Sequence, residues 1–329
     1  MRICENGGCM SKLSGNELSV LLDSAGIMMD KFEDSAVFPP CQDDMLLTTD
    51  FGFLVGDNCD DAGKISALNA ISDIYAMGGK PLYANIILIL GNDINETERK
   101  NLLASVVKTC VEENVKILGG HTLLGGENTI LGLTVIGKKG ERILKKKNCC
   151  VGDWLFLNKP LGTGSALRAW NDGLLKRSSY SEAMSIMKKT NRLNMNLEIL
   201  EKVHAMTDIT GYGLLGHLSE MLNKGQGAKL FIDEIPYISG ILELSVGSLD
   251  REVIHKNMEY AREKHSVRWH LDTNERIILC DPQTNGPLLI SADKSIAPYI
   301  EEMDLINIGV VTDDDEISIC EGKNDLSGQ

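Results

Sequence analysis

The sequence predicts two adjoining units, the first an α/β and the second an α+β arrangement. Three observations carry this. β-rich runs at residues 45–49, 85–90, 115–118 and 129–138 alternate with helical stretches. The composition changes at 145–153, KKKNCCVGD, a charged and turn-prone connector, and strands mix with helices again beyond it. A length of 329 residues suits two domains. The expected division is an arm at 1–15, an N-terminal domain at 16–149 and a C-terminal α+β domain at 150–329.

Composition narrows the function classes. With 43% hydrophobic and 24% charged residues, the chain is able to bury a core. No apolar run is long enough to span a bilayer, and the first fifteen residues lack a signal-peptide core, so a cytoplasmic protein without membrane partners is expected. A net charge of −14 argues against a nucleic-acid partner. An acidic chain binds a polyphosphate only with a cation such as Mg²⁺ between them. Nine cysteines without CxxC spacing suggest neither a disulfide framework nor a complete zinc site. Mostly buried, reduced thiols are expected.

Taken in order, the glycine-rich arm shows little periodicity. Residues 14–25 read as a helix, with Ser14 and Glu17 in capping-box spacing. Short strands follow at 36–38 and 45–49, the second ending on Asp50. The stretch DAGKISALNAISDIYAMGGKP at 61–81 reads as one helix around which the chain is organised. Asp60 or Asp61 would cap it, and Gly78, Gly79 and Pro81 would stop it. Asn69 and Asp73 lie four residues apart on one face, about 6 Å along the axis. Such a pair is costly to bury without partners. It either ties down a neighbouring loop or presents Asp73 to a metal and Asn69 to a polar ligand.

Asn95 and Glu98 give a second capping signature, opening a helix to about Glu113. The strand at 115–118 should enter a loop, Gly119-Gly120-His121-Thr122. Past the connector come a strand at 154–158, a glycine-rich turn at 159–164 and a helix through Trp170. A long amphipathic helix at 181–203 follows, then a helix at 210–222 and a strand at 229–232. Residues 276–279 and 288–291 should flank the turn DPQTNGP, and a short helix with two strands closes the chain.

A phosphate-binding GxxxxGK[ST] loop is absent. The one GxGxxG, Gly211 to Gly216, follows residues 204–210, which do not read as a buried strand, so a dinucleotide site is rejected. Its glycines instead let a helix start pack against other backbone. Asp34, Asp50, Asp73 and Asp208 each sit at an expected turn, element end or helix face. Singly, each is at home as a cap or turn residue. Together they would form an oxygen cage suited to Mg²⁺, which takes a few carboxylates plus substrate phosphates. The arm carries Cys9 and Lys12, and a lysine three residues on could stabilise a thiolate.

These segments, in this order, resemble the selenophosphate synthetases (selenide, water dikinases), in a superfamily that includes aminoimidazole ribonucleotide synthetase. The resemblance runs nearly end to end through GGCMSKL, EDSAVF, LLTTDF, NAISDIYAMGGKP, GGHT, GDWLFLNKPLGTG, MTDITGYGLLGHLSEM and DPQTNGPLLIS. It implies that Cys9 is the reactive arm residue and Lys12 the catalytic lysine reaching the nucleotide phosphates. It implies Asp34, Asp73 and Asp208 as magnesium ligands. Lys31, Phe32, Glu33, Asp50, Asn69 and Asp73 would meet ATP, and Gly120, His121 and Thr122 would reach it from a second subunit. The implied fold is aminoimidazole ribonucleotide synthetase-like, a homodimer whose N-terminal sheets form a barrel. The implied reaction converts ATP, selenide and water to selenophosphate, AMP and phosphate. The resemblance leaves room for K⁺ and a selenium-delivery protein.

Four departures touch detail. Glu33 stands where members often have Asp, Ser11 where many have a second Cys, and Pro287 where a second Gly is usual; no His precedes Gly7-Gly8-Cys9. Two other readings stay open: another ATP-dependent kinase or synthetase of the superfamily, and a silent nucleotide-binding homologue.

Overall fold

The computed structural model describes residues 36–37, 44–244, 246–269 and 273–320. The arm, the expected helix at 14–25 and Phe38 lie outside the described residues. Five strands form the first sheet: β1 (Ala36–Val37), β2 (Met45–Phe53), β3 (Lys80–Leu90), β4 (Lys116–Leu124) and β5 (Ile130–Lys138), in the order β1-β2-β5-β3-β4. Helix α1 (Cys59–Ala76) packs on β2 and β5, and α2 (Glu96–Glu112) packs on α1. Strand alternation fixes which face the helices cover. Leu46, Thr48, Leu131, Leu133 and Val135 are buried under them, whereas Phe51 on the other face is 56% exposed.

Helix α1 is apolar nearly all round, which requires burial on more than one side. Ala67, Ile71 and Ile74 join the core of the first sheet, while Ile65 and Ala76 join cores of the second half. The helix is thus a shared wall. Its cap is Asn58, not either aspartate, with the Asn58 side chain accepting from Asp61 N at 2.8 Å. An extended residue just outside the helix reaches that amide, whereas Asp60 and Asp61 are already helical. The stop falls as expected. Gly78 adopts φ +69°, and the Gly78 and Gly79 amides donate back to Tyr75 O and Ile74 O. The capping box of α2 is present in both directions.

The second half builds a seven-stranded sheet, β7-β10-β6-β11-β8-β12-β9. Its strands are β6 (Trp154–Leu157), β7 (Val203–Asp208), β8 (Gly227–Phe231), β9 (Ser266–Arg268), β10 (Leu288–Ala292), β11 (Ile306–Thr312) and β12 (Glu316–Cys320). Helices α3 (Thr163–Asn171), α4 (Arg177–Met187), α5 (Leu197–Lys202), α6 (Gly213–Met221), α7 (Val246–Leu249), α8 (Glu252–Lys264) and α9 (Thr273–Cys280) complete it. No helix among the described residues is long and apolar enough to cross a membrane.

Several expected elements differ. Strand β2 runs on to Phe53, so Asp50 sits mid-strand, paired with Leu133 of β5. GGHT is part of β4, not a loop, because Gly119 to Thr122 pair with Asn85 to Leu88. The single helix expected at 181–203 is two, α4 and α5. Between them Thr190, Asn191 and Asn196 hydrogen-bond locally or across the chain, competing with the helical ladder. Residues 276–279 lie in helix α9, since a short buried apolar run does not reveal its own period. Residues 203–208 are a buried strand after all, which removes the stated ground for rejecting the glycine motif. The packing reading of its glycines stands: Gly213 has φ +68°, and a Cβ there would lie 2.6 Å from the Cys280 carbonyl carbon.

A buried ionic network joins the connector to the second half. Lys146 Nζ lies 3.2 Å from Glu220 Oε2, His217 Nδ1 is 3.2 Å from the same oxygen, and Tyr260 donates to Glu220 Oε1 at 2.7 Å. Burial alone would raise the Glu220 carboxyl; Lys146 and then His217 reverse that and hold it well below the ordinary carboxylate range. Its folded pKa is below its unfolded one, so the stabilisation is complete above about pH 4.3 and is lost as pH falls toward the folded value. Glu220→Gln should therefore cost roughly 3–5 kcal/mol at neutral pH, by removing the buried negative charge opposite Lys146. Urea unfolding of both proteins at pH 7 and pH 3.5 should show that gap narrowing in acid; equal stabilities at pH 7 would show the network to be dispensable.

Candidate active site

Of the acids singled out in the sequence, Asp50, Asp73 and Asp208 lie among the described residues, on β2, α1 and β7, and the turn at 281–287 bonds to neighbours of each. Asp50 and Thr48 point from β2 toward α1. Thr48 Oγ1 donates to Asp73 Oδ2 at 2.5 Å, and Asn69 Nδ2 donates to the Asp50 carboxylate. Asn69 Oδ1 accepts from the backbone N–H of Asn285 at 2.7 Å, so both ends of this amide are engaged within the chain. The tie to a loop, one of the two roles open for Asn69, is therefore present.

The turn at 281–287 docks between α1 and β7. Ile209 N donates to Pro287 O at 2.8 Å and Gln283 N to Thr210 O at 2.9 Å, directly after Asp208. Gly286 is needed there, because a Cβ would come 2.1 Å from Ile209 O. Asn191 Nδ2 donates both to Ser72 Oγ at 2.8 Å and to Gly286 O at 2.9 Å, linking the neighbour of Asp73 to the same turn. Lys159 Nζ donates to Lys189 O at 2.9 Å, Asn285 O at 3.1 Å and Gly286 O at 3.4 Å. Burial brings the Lys159 ammonium down to about 7, against the pull of the Asp208 carboxylate. Asp208 is 1% exposed and ends β7, opposite Leu288, while α1 packs against β7.

A small cavity of about 30 Å³ opens between Asp50, Asn69, Ser66 and Thr284. Among the described residues the oxygen donors around the turn are carboxylates, amides and hydroxyls, and the one imidazole there, His217, is engaged by Thr210 N at 3.1 Å. That is a hard oxygen set of the kind Mg²⁺ takes, with Asp73 and Asp208 as the residues that could hold it.

The structure does not bring Gly120, His121 and Thr122 to this turn within one chain. They lie exposed on β4, with β5 and β3 between β4 and β2. Cys9, Lys12, Lys31, Phe32, Glu33 and Asp34 lie outside the described residues. Sequence reasoning missed Thr48, Lys159, Asn191, Thr284 and Asn285. The motifs LLTTDF, NKPLGTG and DPQTNGP, which hold all of these but Asn191, are visible as segments, but which side chains in them face the acids follows only from the folded turn.

Comparison with known proteins adds the family. The AIR synthase related protein N-terminal domain matches residues 32–138 and the corresponding C-terminal domain matches residues 151–271. A protein named selenide, water dikinase from Colwellia psychrerythraea is 36% identical over 303 residues, covering 86% of this chain and 85% of that protein. The chain belongs to the selenide, water dikinase family. The dikinases of Paraburkholderia xenovorans and Escherichia coli O157:H7 are 33% and 35% identical, covering 88% and 86% of this chain and 85% and 84% of their own lengths. Solved structures share the fold at greater distance. Thiamine monophosphate kinase from Aquifex aeolicus superposes with a TM-score of 0.67 at 19% identity, over 92% of this chain and 96% of that one. A HypE–HypF complex gives 0.65 at 18%, over 93% and 96%. The dikinase family therefore has here the two AIR-synthase-related domains on the mixed sheets described above.

Proposed function

We propose that this protein is a selenophosphate synthetase, converting ATP, selenide and water to selenophosphate, AMP and orthophosphate. The observation that supports this is one turn tied to the residue beside Asp73, through Asn191, and to the residues directly after Asp208, both acids lying in motifs specific to the dikinases, in a chain that also has Cys9 and Lys12. Asp34, Asp73 and Asp208 would hold Mg²⁺, which when bound neutralises triphosphate charge. Thr48 fixes the Asp73 carboxylate, and Asn69 holds Asp50 and the turn in register, so that the acids need little reorganisation as ATP arrives. Lys12 supplies a cation to the phosphates. The arm closes over ATP and excludes water from the first transfer, and Cys9 delivers or protects the selenide. Lys31, Phe32 and Glu33 complete the nucleotide contacts.

The outer face of the first sheet supports a homodimer. Tyr83 of β3 and Leu118 and Leu123 of β4 are 39%, 58% and 52% exposed, and Phe51 is exposed on β2 of the same sheet. Strand β4 is an edge among the described strands and is exposed along nearly all its length. A long apolar edge of this kind calls for a partner. A second copy there would close the barrel and set Gly120, His121 and Thr122 against the ATP of its neighbour. The reduced thiols this chemistry needs fit the cytoplasm.

Phosphorus NMR with ATP, Mg²⁺ and selenide tests the assignment. Selenophosphate, AMP and orthophosphate should appear in equal amounts, and only with selenide. Accumulation of ADP, or turnover indifferent to selenide, would instead support another kinase of the superfamily.

A further inference from the structure

Cys150, Asp153 and His204 meet at the end of the second sheet remote from Asp208. One donor atom from each lies within 4.8 Å of the others. His204 stands four residues before Asp208 on β7, about 13 Å away at strand spacing. The cluster is therefore not part of the acid site around the 281–287 turn.

Its geometry is preset. Asp153, 2% exposed, accepts from Cys150 N at 2.9 Å and from Ser291 Oγ at 2.6 Å. Its two oxygens lie 2.8 and 2.9 Å from His204 Nδ1. Asn148 Nδ2 holds His204 O at 3.1 Å, so the connector and β7 are already pinned together here. Cys150 is exposed, which leaves solvent access on one side. A thiol, an imidazole and a carboxylate at such spacing admit two chemistries, an activated nucleophile or a cation site. Partial burial, then Asp153 and Asp293, push the Cys150 thiol up, the wrong direction for a nucleophile. The same negative surroundings attract a cation.

We propose that Cys150, Asp153 and His204 form a site for a borderline-soft divalent cation of the Zn²⁺ class. Tetrahedral Zn²⁺ sets nitrogen and oxygen donors about 3.3 Å apart and sulfur about 3.6 Å from each, at bond lengths of roughly 2.0–2.3 Å. The nitrogen–oxygen pair must open by about half an ångström, and the exposed Cys150 side chain, within 4.8 Å of both, closes the remaining distance by rotation about its χ1. On binding, the thiol proton passes to solvent, and thiolate and carboxylate balance the two charges of the ion. The fourth position faces solvent on the Cys150 side. The bound ion ties the connector between the two halves to the strand that ends in Asp208.

The test uses the full-length, reduced protein in excess Mg²⁺, so that hard oxygen sites are filled. Co²⁺ is titrated in, followed by Zn²⁺, and the thiolate-to-cobalt charge-transfer absorption is read. Wild type and Cys9→Ser should both show the band, with one equivalent of Zn²⁺ abolishing it. Cys150→Ser should lose it. His204→Gln should weaken Co²⁺ binding at least about tenfold. Metal-free melting temperatures of the variants should match wild type, since Cys150 is exposed and the glutamine keeps a donor toward Asp153. A band unchanged in both site variants, or one that disappears only with Cys9, would overturn the site.

Discussion

Asp208→Asn should lower selenide-dependent AMP formation on the order of 10²–10³-fold, the scale on which removing one preorganised charge-stabilising group acts. The side chain keeps its size at a position 1% exposed, so the fold has no cavity to fill. What changes is charge. The carboxylate ends β7 directly beside the turn that bonds to Asn69, and it is the group that opposes the effect of burial on Lys159. An amide there is a poor ligand for Mg²⁺ and leaves the phosphates facing Asp50 and Asp73 with less compensation. The diagnostic is a Mg²⁺ titration at saturating ATP. The variant should need much more Mg²⁺ for any remaining turnover, and Asp73→Asn should behave alike. A loss of less than tenfold with an unchanged Mg²⁺ requirement would remove Asp208 from the metal site.

Lys12→Ala should abolish the reaction, with a loss on the order of 10³-fold or more, while the melting temperature stays at the wild-type value. The reasoning is electrostatic. The chain carries −14 overall, and the acids gathered around the turn cannot face a triphosphate without cations. In the proposed mechanism Lys12 supplies that cation, whereas Lys159 is buried against three backbone carbonyls and cannot. Lys12→Arg should recover part of the rate, because charge is kept and shape is not. Wild-type turnover in Lys12→Ala would rule the arm out of catalysis.

How much was legible varied with the type of signal. Capping and stopping residues read well where they are local: the Asn95–Glu98 box and the Gly78–Gly79 stop stand as expected. The start of α1 was misjudged because Asn58, Asp60 and Asp61 are all good caps, and only backbone conformation separates them. The strand at 203–208 is hidden in the sequence because a histidine and an aspartate near its ends conceal a segment that pairs with β10 and is packed by α1, α5 and α6. Residues 276–279 carry no readable period, since four consecutive apolar or long side chains suit a helix or a strand alike, and the structure makes them helix. The candidate acids were legible as residue types in specific motifs. The side chains that position them were not, because Thr48, Asn191 and Asn285 are ordinary polar residues until the turn docks.

By itself the sequence determined the family, the alternation of strands and helices, and the order of the segments that hold the acids, since these rest on identity and on local periodicity. Only the tertiary structure decided that the turn at 281–287 ties the helix of Asp73 to the strand of Asp208, and that Cys150 meets His204. Both depend on pairing across sheets between residues far apart in the chain, and antiparallel register, unlike a helical face, leaves no mark in local spacing.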